Sequence, residues 1–277
     1  MAKRYGSIYM SGLLMLIFLV VFSGCEITVN PILTYHSVLF DSNGATGGSV
    51  PVFSINALVG STMTVPNNTG NLEKEDHQFI GWNTNAEGTG NFFNPGEMFS
   101  MPAVNVVLYA AWERMYRIGQ TGPAGGIIFY DKGDDSDGWR YLEAAPVETE
   151  WVDRIWGEQD AVVIEGTSNA IGSGKANTQK IVLEYLSTNY GNYAASLCTY
   201  LEHGGFDDWF LPSLLELDEM YKNLYLYSLG GFINDMYWSS TADSSVDDNA
   251  FISYFATGQM TTSSTYSMRR VRAIRSF

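Results

Sequence analysis

Cysteine, histidine and basic residues are all scarce in this chain, and each scarcity removes a class of function. The two cysteines are Cys25 and Cys198, so one disulfide at most can form and a disulfide-stapled scaffold is excluded. His36 and His77 have no cysteine or histidine beside them at ligand spacing, which makes them lone surface histidines before zinc ligands. Fifteen Lys and Arg stand against 30 Asp and Glu, a net charge of -15. Such a chain repels nucleic acid and anionic membrane surfaces at long range. Nucleic acid is therefore excluded as a partner, and any anionic ligand needs a local basic patch. Charged residues make up only 16% and aromatic residues 14% of the chain, a balance that argues against extensive disorder. Its 277 residues leave room for roughly two domains.

Long apolar runs are also absent beyond one, Leu13 to Phe22. It is shorter than the ~20 residues a spanning helix needs. Preceded by Lys3 and Arg4, it has the form of a signal-peptide core. Phe22-Ser23-Gly24-Cys25 follows at once and resembles a bacterial lipobox, with Phe22 where Leu is usual. The resemblance implies cleavage after Gly24 and lipidation of Cys25. An ordinary signal peptide with an incidental Cys25 is the alternative. Two acyl chains anchor a protein stably where one is marginal. Residues 1–24 are thus read as a signal peptide and 25–33 as a tether, which places the chain in the bacterial cell envelope, at the outer membrane or cell surface.

The next segment, 34–113, reads as strands broken by turns. Tyr35 to Phe40 alternates with period two, and Asn43-Gly44 suits positive φ. Ser61 to Pro66, Phe79 to Trp82 and Val106 to Trp112 are further strands. Phe40-Asp41-Ser42-Asn43-Gly44, then Phe79-Ile80-Gly81-Trp82-Asn83-Thr84, then Tyr109-Ala110-Ala111-Trp112 resemble one Listeria–Bacteroides (internalin B-type) repeat. The resemblance implies a small β-grasp-like module used as a spacer or weak interaction unit. Phe40, Trp82 and Trp112 map to its aromatic core. No second copy follows.

Residues 116–277 form the second domain. Gly122-Pro123-Ala124-Gly125-Gly126 is a turn, Ile127 to Tyr130 a buried strand, and Trp139 to Ala145 the next strand. Between them lies an acidic loop. Its spacing fails the EF-hand test, since Gly133 and Ala144 fall on the first and twelfth positions. A looser calcium site on Asp131, Asp134, Asp135 and Asp137 stays open beside the reading of an Asp-rich turn without metal. Glu148 to Ser173 is poorly patterned and reads as a surface excursion. In it, Trp151 and Trp156 either pack the loop down or line a binding face. Asn177-Thr178 is the expected cap of a helix carrying Ile181, Val182, Tyr185 and Leu186. Tyr193 to Leu201 is a second helix, with Cys198 as a small buried hydrophobe.

Gly204 to Leu217 organises this domain. Trp209 to Leu211 is expected to be a short buried strand, ended by Pro212. Ser213-Leu214-Leu215-Glu216 fits a capping box, opening a helix with Leu214, Leu217, Tyr221 and Leu224 on one face. Tyr237 to Thr241 and Ala250 to Phe255 are strands, with a hairpin turn at Gly258. Arg269 to Phe277 is expected to be one closing strand, apolar through Val271 and Ala273, basic through Arg270 and Arg272.

Several of these stretches resemble, in order, the C-terminal domain of the Legionella collagen-like adhesin family. They are Gly125 to Tyr130, Gly138 to Ala145, Gly172 to Thr178, Asp208 to Ser213, Tyr237 to Ser240 and Val271 to Arg275. The resemblance implies a β-rich α+β fold, distantly similar to formylglycine-generating enzymes and C-type lectins, and a domain that trimerises and binds sulfated glycans.

Three functions follow as expectations. The first is a lipid-anchored surface protein with a non-catalytic, adhesin-like binding module for a host or environmental glycan or matrix. Its candidate contacts are Arg269, Arg270 and Arg272, joined by Arg275, with Trp151 and Trp156. Arginine suits bidentate sulfate or carboxylate contacts, and the bland alternative is internal pairing of Arg272 and Arg275 with acidic loops. The second is an enzyme. Formylglycine-generating chemistry needs a reactive cysteine pair, and a lipidated Cys25 leaves Cys198 alone. A hydrolase on His203, Asp207 or Asp208, and Ser239 or Ser240 rests on residue types only. No catalytic residue and no cofactor is therefore assigned. The third is a structural envelope lipoprotein with no ligand.

Overall fold

The computed structural model describes residues 33–51, 54–157, 164–185 and 191–277. The expected export signal, Cys25 and the expected tether up to residue 32 lie outside the described residues, as does Leu186. Strand takes about 35% and helix about 15% of the chain, so the protein is of the β-rich α+β class. No helix among the described residues is long and apolar enough to cross a membrane. The chain divides into two compact units. The first holds the described part of Met1–Asn43 with Val50–Gly70 and Gly81–Ala110, and the second holds Gly44–Ser49, Asn71–Ile80 and Ala111–Phe277.

Seven strands come first: β1 (Tyr35–Asp41), β2 (Ser54–Leu58), β3 (Thr62–Thr64), β4 (His77–Asn83), β5 (Phe92–Phe93), β6 (Met98–Ser100) and β7 (Val106–Arg114). One sheet has the order β2-β1-β7-β4-β5, and β3 pairs with β6 apart from it. β1 runs antiparallel to β2 and parallel to β7. The alternation read in β1 sends Val38 and Phe40 inward and Leu39 outward, as the two-residue period of a strand requires. Phe40 meets Trp82 edge-on at 4.9 Å, and the Trp82 indole donates to the Pro66 carbonyl at 2.9 Å. Trp112 is half-buried against Phe79, 5.9 Å away. At the predicted turn, Asn43 and Gly44 have φ of 48° and 78°. The Asn43 amide donates to the carbonyls of Ala86 and Ala110, both at 2.9 Å.

The later elements are β8 (Ile127–Asp131), β9 (Tyr141–Ala144), β10 (Trp151–Arg154), α1 (Gly174–Glu184), α2 (Ala194–Thr199), α3 (Leu214–Asn223), β11 (Met236–Ala242), β12 (Asn249–Tyr254), β13 (Gln259–Ser264), β14 (Arg269–Val271) and β15 (Ile274–Ser276). They build two sheets, β10-β14-β11-β12-β13 and β15-β9-β8. Trp156, Ile181, Trp209 and Trp238 centre one apolar cluster. Phe129, Leu217, Tyr237 and Phe255 centre another, beneath α3.

Four expectations are corrected here. Arg269 to Phe277 is not one strand. It forms β14 and β15 in different sheets, and the chain crosses between them at Arg272 and Ala273. Trp209 to Leu211 is not a strand either. Phe210 makes a single bridge to Ile274, while the Leu211 N–H turns to the Thr178 hydroxyl at 3.0 Å, so no ladder propagates. The surface excursion from Glu148 holds β10, antiparallel to β14. Finally, α1 starts at Gly174, so Asn177 and Thr178 lie inside it and buried. Asn177 bridges to Ser168 and to the Ser240 hydroxyl, and Thr178 bonds the Gly174 carbonyl at 2.8 Å. The capping box of α3 forms as read: Ser213 N–H meets Glu216 Oε2 at 2.6 Å and Glu216 N–H meets Ser213 Oγ at 3.3 Å.

Candidate functional site

The candidate arginines do not form an open basic patch. Arg272 is 1% exposed. Its guanidinium grips Glu150 Oε2, with Nε at 3.0 Å, and donates to the carbonyls of Ala145 and Gly230 at 3.1 and 2.9 Å. Arg270 shares the same carboxylate, at 2.6 Å from Glu150 Oε1, and reaches Asp235 at 2.9 Å. Burial disfavours its charge, but the hydrogen bonds to Glu150 and Asp235 outweigh that and raise its pKa. Arg275 is buried, forks onto Asp208 at 2.8 and 3.0 Å, and lies 3.4 Å from the buried Glu143. Arg269 is half-buried and bonds the Met268 carbonyl and the Ser263 hydroxyl. The internal pairing weighed as the alternative is thus what Arg272 and Arg275 do, and Arg270 joins them. The cause is the chain crossing: Val271 to Arg275 are all buried there, so Arg272 and Arg275 have to find internal partners.

Glu143 anchors the turn read as Gly122 to Gly126. It accepts from the N–H groups of Gly126 at 2.7 Å and Ala124 at 3.2 Å. Burial raises its pKa in spite of these bonds and of Arg275. Gly126 has to be glycine, because a β-carbon there would sit 2.2 Å from the Ala144 carbonyl oxygen.

The tryptophans of the predicted excursion belong to the core. Trp156 is 2% exposed and donates to the Ser239 carbonyl at 2.6 Å; Trp151 packs half-buried against the same cluster. Of the two readings left open for them, packing is the one seen. Ser239 and Ser240 are fully buried, their hydroxyls bonded to the Phe251 carbonyl and the Asn177 amide. Asp208 is held by Arg275. Cys198 is buried, and burial pushes its thiol pKa well up, the state of an inert packing cysteine.

The acidic loop does not assemble the looser calcium site. Among the described residues no group of three or more His, Cys, Asp and Glu is placed to hold a metal ion. The carboxylates have been drawn to nearby donors instead. Asp131 meets Arg140 at 2.8 Å, and Asp134 and Asp137 meet Lys132 at 3.6 and 3.1 Å. Asp131 is somewhat desolvated, yet Arg140 and the Gly133 N–H hold its pKa down.

What the loop does border is a cleft of about 530 Å³, lined by Tyr116, Asp134, Asp135, Trp139, Tyr141 and Phe277 among others. Its floor is rigid. Phe277 pairs through its backbone with Tyr141, at 3.0 and 3.1 Å, and with the Arg140 N–H at 2.8 Å. The rings of Tyr116, Tyr141 and Phe277 meet mutually at 5.3 to 5.5 Å. Tyr141 Oη also receives the Tyr116 N–H at 3.2 Å. Trp139 stands beside them over Gly172, where a β-carbon would come within 3.1 Å of the indole. Sequence reading missed this cleft. Its residues come from four separate stretches, at Gln78, Glu113 to Tyr116, Gly133 to Tyr141 and Phe277, and the chain end reaches it by closing onto β9; the aromatic character of Tyr116, Trp139, Tyr141 and Phe277 is the sole local signal.

The architecture defines a β-rich α+β protein with a strand-and-turn segment at its start, and for that segment similarity to known proteins is specific. Residues 36–111 match the Listeria-Bacteroides repeat domain. A protein of Evansella cellulosilytica, provisionally named a Gly-rich membrane protein, is 38% identical over 78 residues, 28% of this chain and 9% of that protein. A second from the same organism, provisionally named a membrane protein, is 31% identical over 77 residues, 28% of this chain and 11% of its own length. The chain thus spans about a tenth of the length of the curated relatives it matches.

Proposed function

We propose that this chain is a lipid-anchored cell-envelope protein in which the repeat is a spacer and residues 116–277 form a non-catalytic, adhesin-like binding module. The observation that carries the reading is the repeat at residues 36–111, set directly behind Phe22-Ser23-Gly24-Cys25. The relatives that share this repeat carry membrane-protein names, which supports placement at the envelope. On the C-terminal side the reading rests on resemblance to an adhesin domain with β-grasp-like and lectin-like expectations for the two parts.

Sulfated glycans are the weaker ligand class. Arg270 and Arg272 are already paired with Glu150 and Asp235, which leaves Arg269 as the arginine of that cluster without a carboxylate among the described residues. The same pairing favours a second reading, a structural envelope lipoprotein with no ligand. Two measurements test the proposal on the full chain. Metabolic labelling with a fatty acid should mark the wild type and not Cys25→Ala, and the variant should leave the membrane fraction. The detergent-solubilised protein on a glycan and matrix-protein array should give specific signals; an array silent at all features supports the structural reading. Oligomeric state belongs to the same sample, since trimerisation multiplies weak binding.

A further inference from the structure

We infer that the aromatic cleft over Tyr116, Trp139, Tyr141 and Phe277 is a binding site for a neutral saccharide. The inference rests on the binding-module reading and gives it a location. At about 530 Å³, the cleft falls within the ~300–1,000 Å³ of small-ligand sites. Tyr116, Trp139 and Phe277 are each half-buried, seated by packing with part of the ring left facing the cleft. A pyranose ring has apolar C–H faces that lie against such rings, and a rim of hydroxyls that both donate and accept. The cleft edge supplies both partners: carboxylate acceptors on Asp134 and Asp135, and the N–H groups that the Arg140 guanidinium keeps beyond its two bonds to Asp131.

Charge decides against the other ligand classes. A polyanion would meet Asp131, Asp134, Asp135 and Asp137 along the loop, a local repulsion added to that of the whole chain. A cationic ligand would be repelled by the protein's own cations, which stand close to three of these rings: Lys132 near Trp139 at 4.7 Å, Arg114 near Tyr116 at 5.0 Å and Arg140 near Tyr141 at 5.1 Å. A neutral polyol is attracted by donors and acceptors alike and is repelled by neither sign. Backbone pairing of Phe277 with Tyr141 presets the platform, so little ordering cost attends binding.

The test uses the full chain in detergent, with neutral oligosaccharides of glucose, mannose and N-acetylglucosamine as probes and heparin as the polyanionic control. Binding is followed by saturation-transfer NMR and by tryptophan fluorescence. At least one neutral oligosaccharide should bind, heparin should not displace it, and Trp139→Ala should weaken it tenfold or more. Asp135→Ala removes an exposed loop carboxylate that makes no ion pair among the described residues, so it should weaken binding about threefold at an unchanged melting temperature, which keeps the test valid if Trp139→Ala fails to fold. Saccharide binding unchanged in both variants overturns the cleft and leaves the binding-module reading standing. Heparin binding without neutral-sugar binding does the same. Silence toward neutral sugars, heparin and the array overturns both.

Discussion

The two units of this protein are held together by different chemistry. In the first unit the buried residues are apolar or aromatic, Val38, Phe40, Val65, Trp82, Phe99, Met101, Leu108 and Ala110, and among its described residues Asn83 is the one buried polar side chain. In the second unit Glu143, Glu216, Arg272 and Arg275 are all at most 3% exposed. A small sheet can close over a few rings and settle its turns with side-chain amides. A larger unit whose chain crosses between two sheets has to bury backbone ends and connecting residues, and charged side chains with several donors or acceptors satisfy them. The first unit should therefore be indifferent to pH and salt, and the second should not.

Glu150→Ala strikes this contrast hardest. The substitution leaves Arg272 buried without its carboxylate and takes a partner from Arg270. Breaking a buried pair on one side costs about 3–5 kcal/mol, to be read as a loss of melting temperature. Phe40→Ala in the first unit should cost a similar amount, about 3–5 kcal/mol through the cavity it opens, but that cost should not change with salt. If Glu150→Ala costs under about 1 kcal/mol, the range of an exposed pair, the contrast between the units falls.

Ser213→Ala comes next. The hydroxyl accepts from the Glu216 N–H at 3.3 Å and donates to the Ala170 carbonyl at 2.8 Å, while Glu216 also holds the Gly172 N–H at 2.8 Å. Loss of an N-cap costs about 0.5–2 kcal/mol. The second bond to Ala170 places this one toward the upper end, measurable by denaturant unfolding. A cost near zero would mean that Glu216 alone carries the cap.

This cap was legible in the sequence because all its parts lie within four positions. So were β1, β8 and β11, whose apolar runs report burial directly, and the turn at Asn43, where the dipeptide dictates positive φ. The β2, β5 and β6 strands were not, since two to five residues are too few for a period to show. The arginine cluster was visible as residues and unreadable as a site. Whether Arg272 faces solvent or Glu150 depends on where the chain crosses between sheets, and that is fixed by partners more than a hundred positions away. The cleft suffered the same blindness: Tyr116, Tyr141 and Phe277 are ordinary aromatics until the strands bring them together.

The smallest effect is the one that separates the units most cleanly. Burial raises the Glu143 carboxyl above its usual 4.5 even though Gly126, Ala124 and Arg275 favour its charge. Glu216 is raised in the same way, burial again outweighing its capping bonds. A carboxyl whose pKa is higher in the folded than in the unfolded state binds its proton more tightly when folded. Its contribution to stability is complete below the unfolded value and is lost as pH rises through the folded one. In the interval just above pH 4.5, acidification should therefore stabilise the second unit through these two groups. Asp131, held low by Arg140 and Gly133 against its own desolvation, acts in the opposite sense at lower pH, so the groups must be isolated by substitution. Glu143→Gln keeps an acceptor for the Gly126 and Ala124 N–H groups and removes the titration. The melting temperature of the wild type relative to this variant should climb as pH falls from about 7 toward 4.5. A flat or falling difference would mean that Arg275 neutralises Glu143 in full, and the buried charges of the second unit would then be as insensitive to pH as the aromatic core of the first.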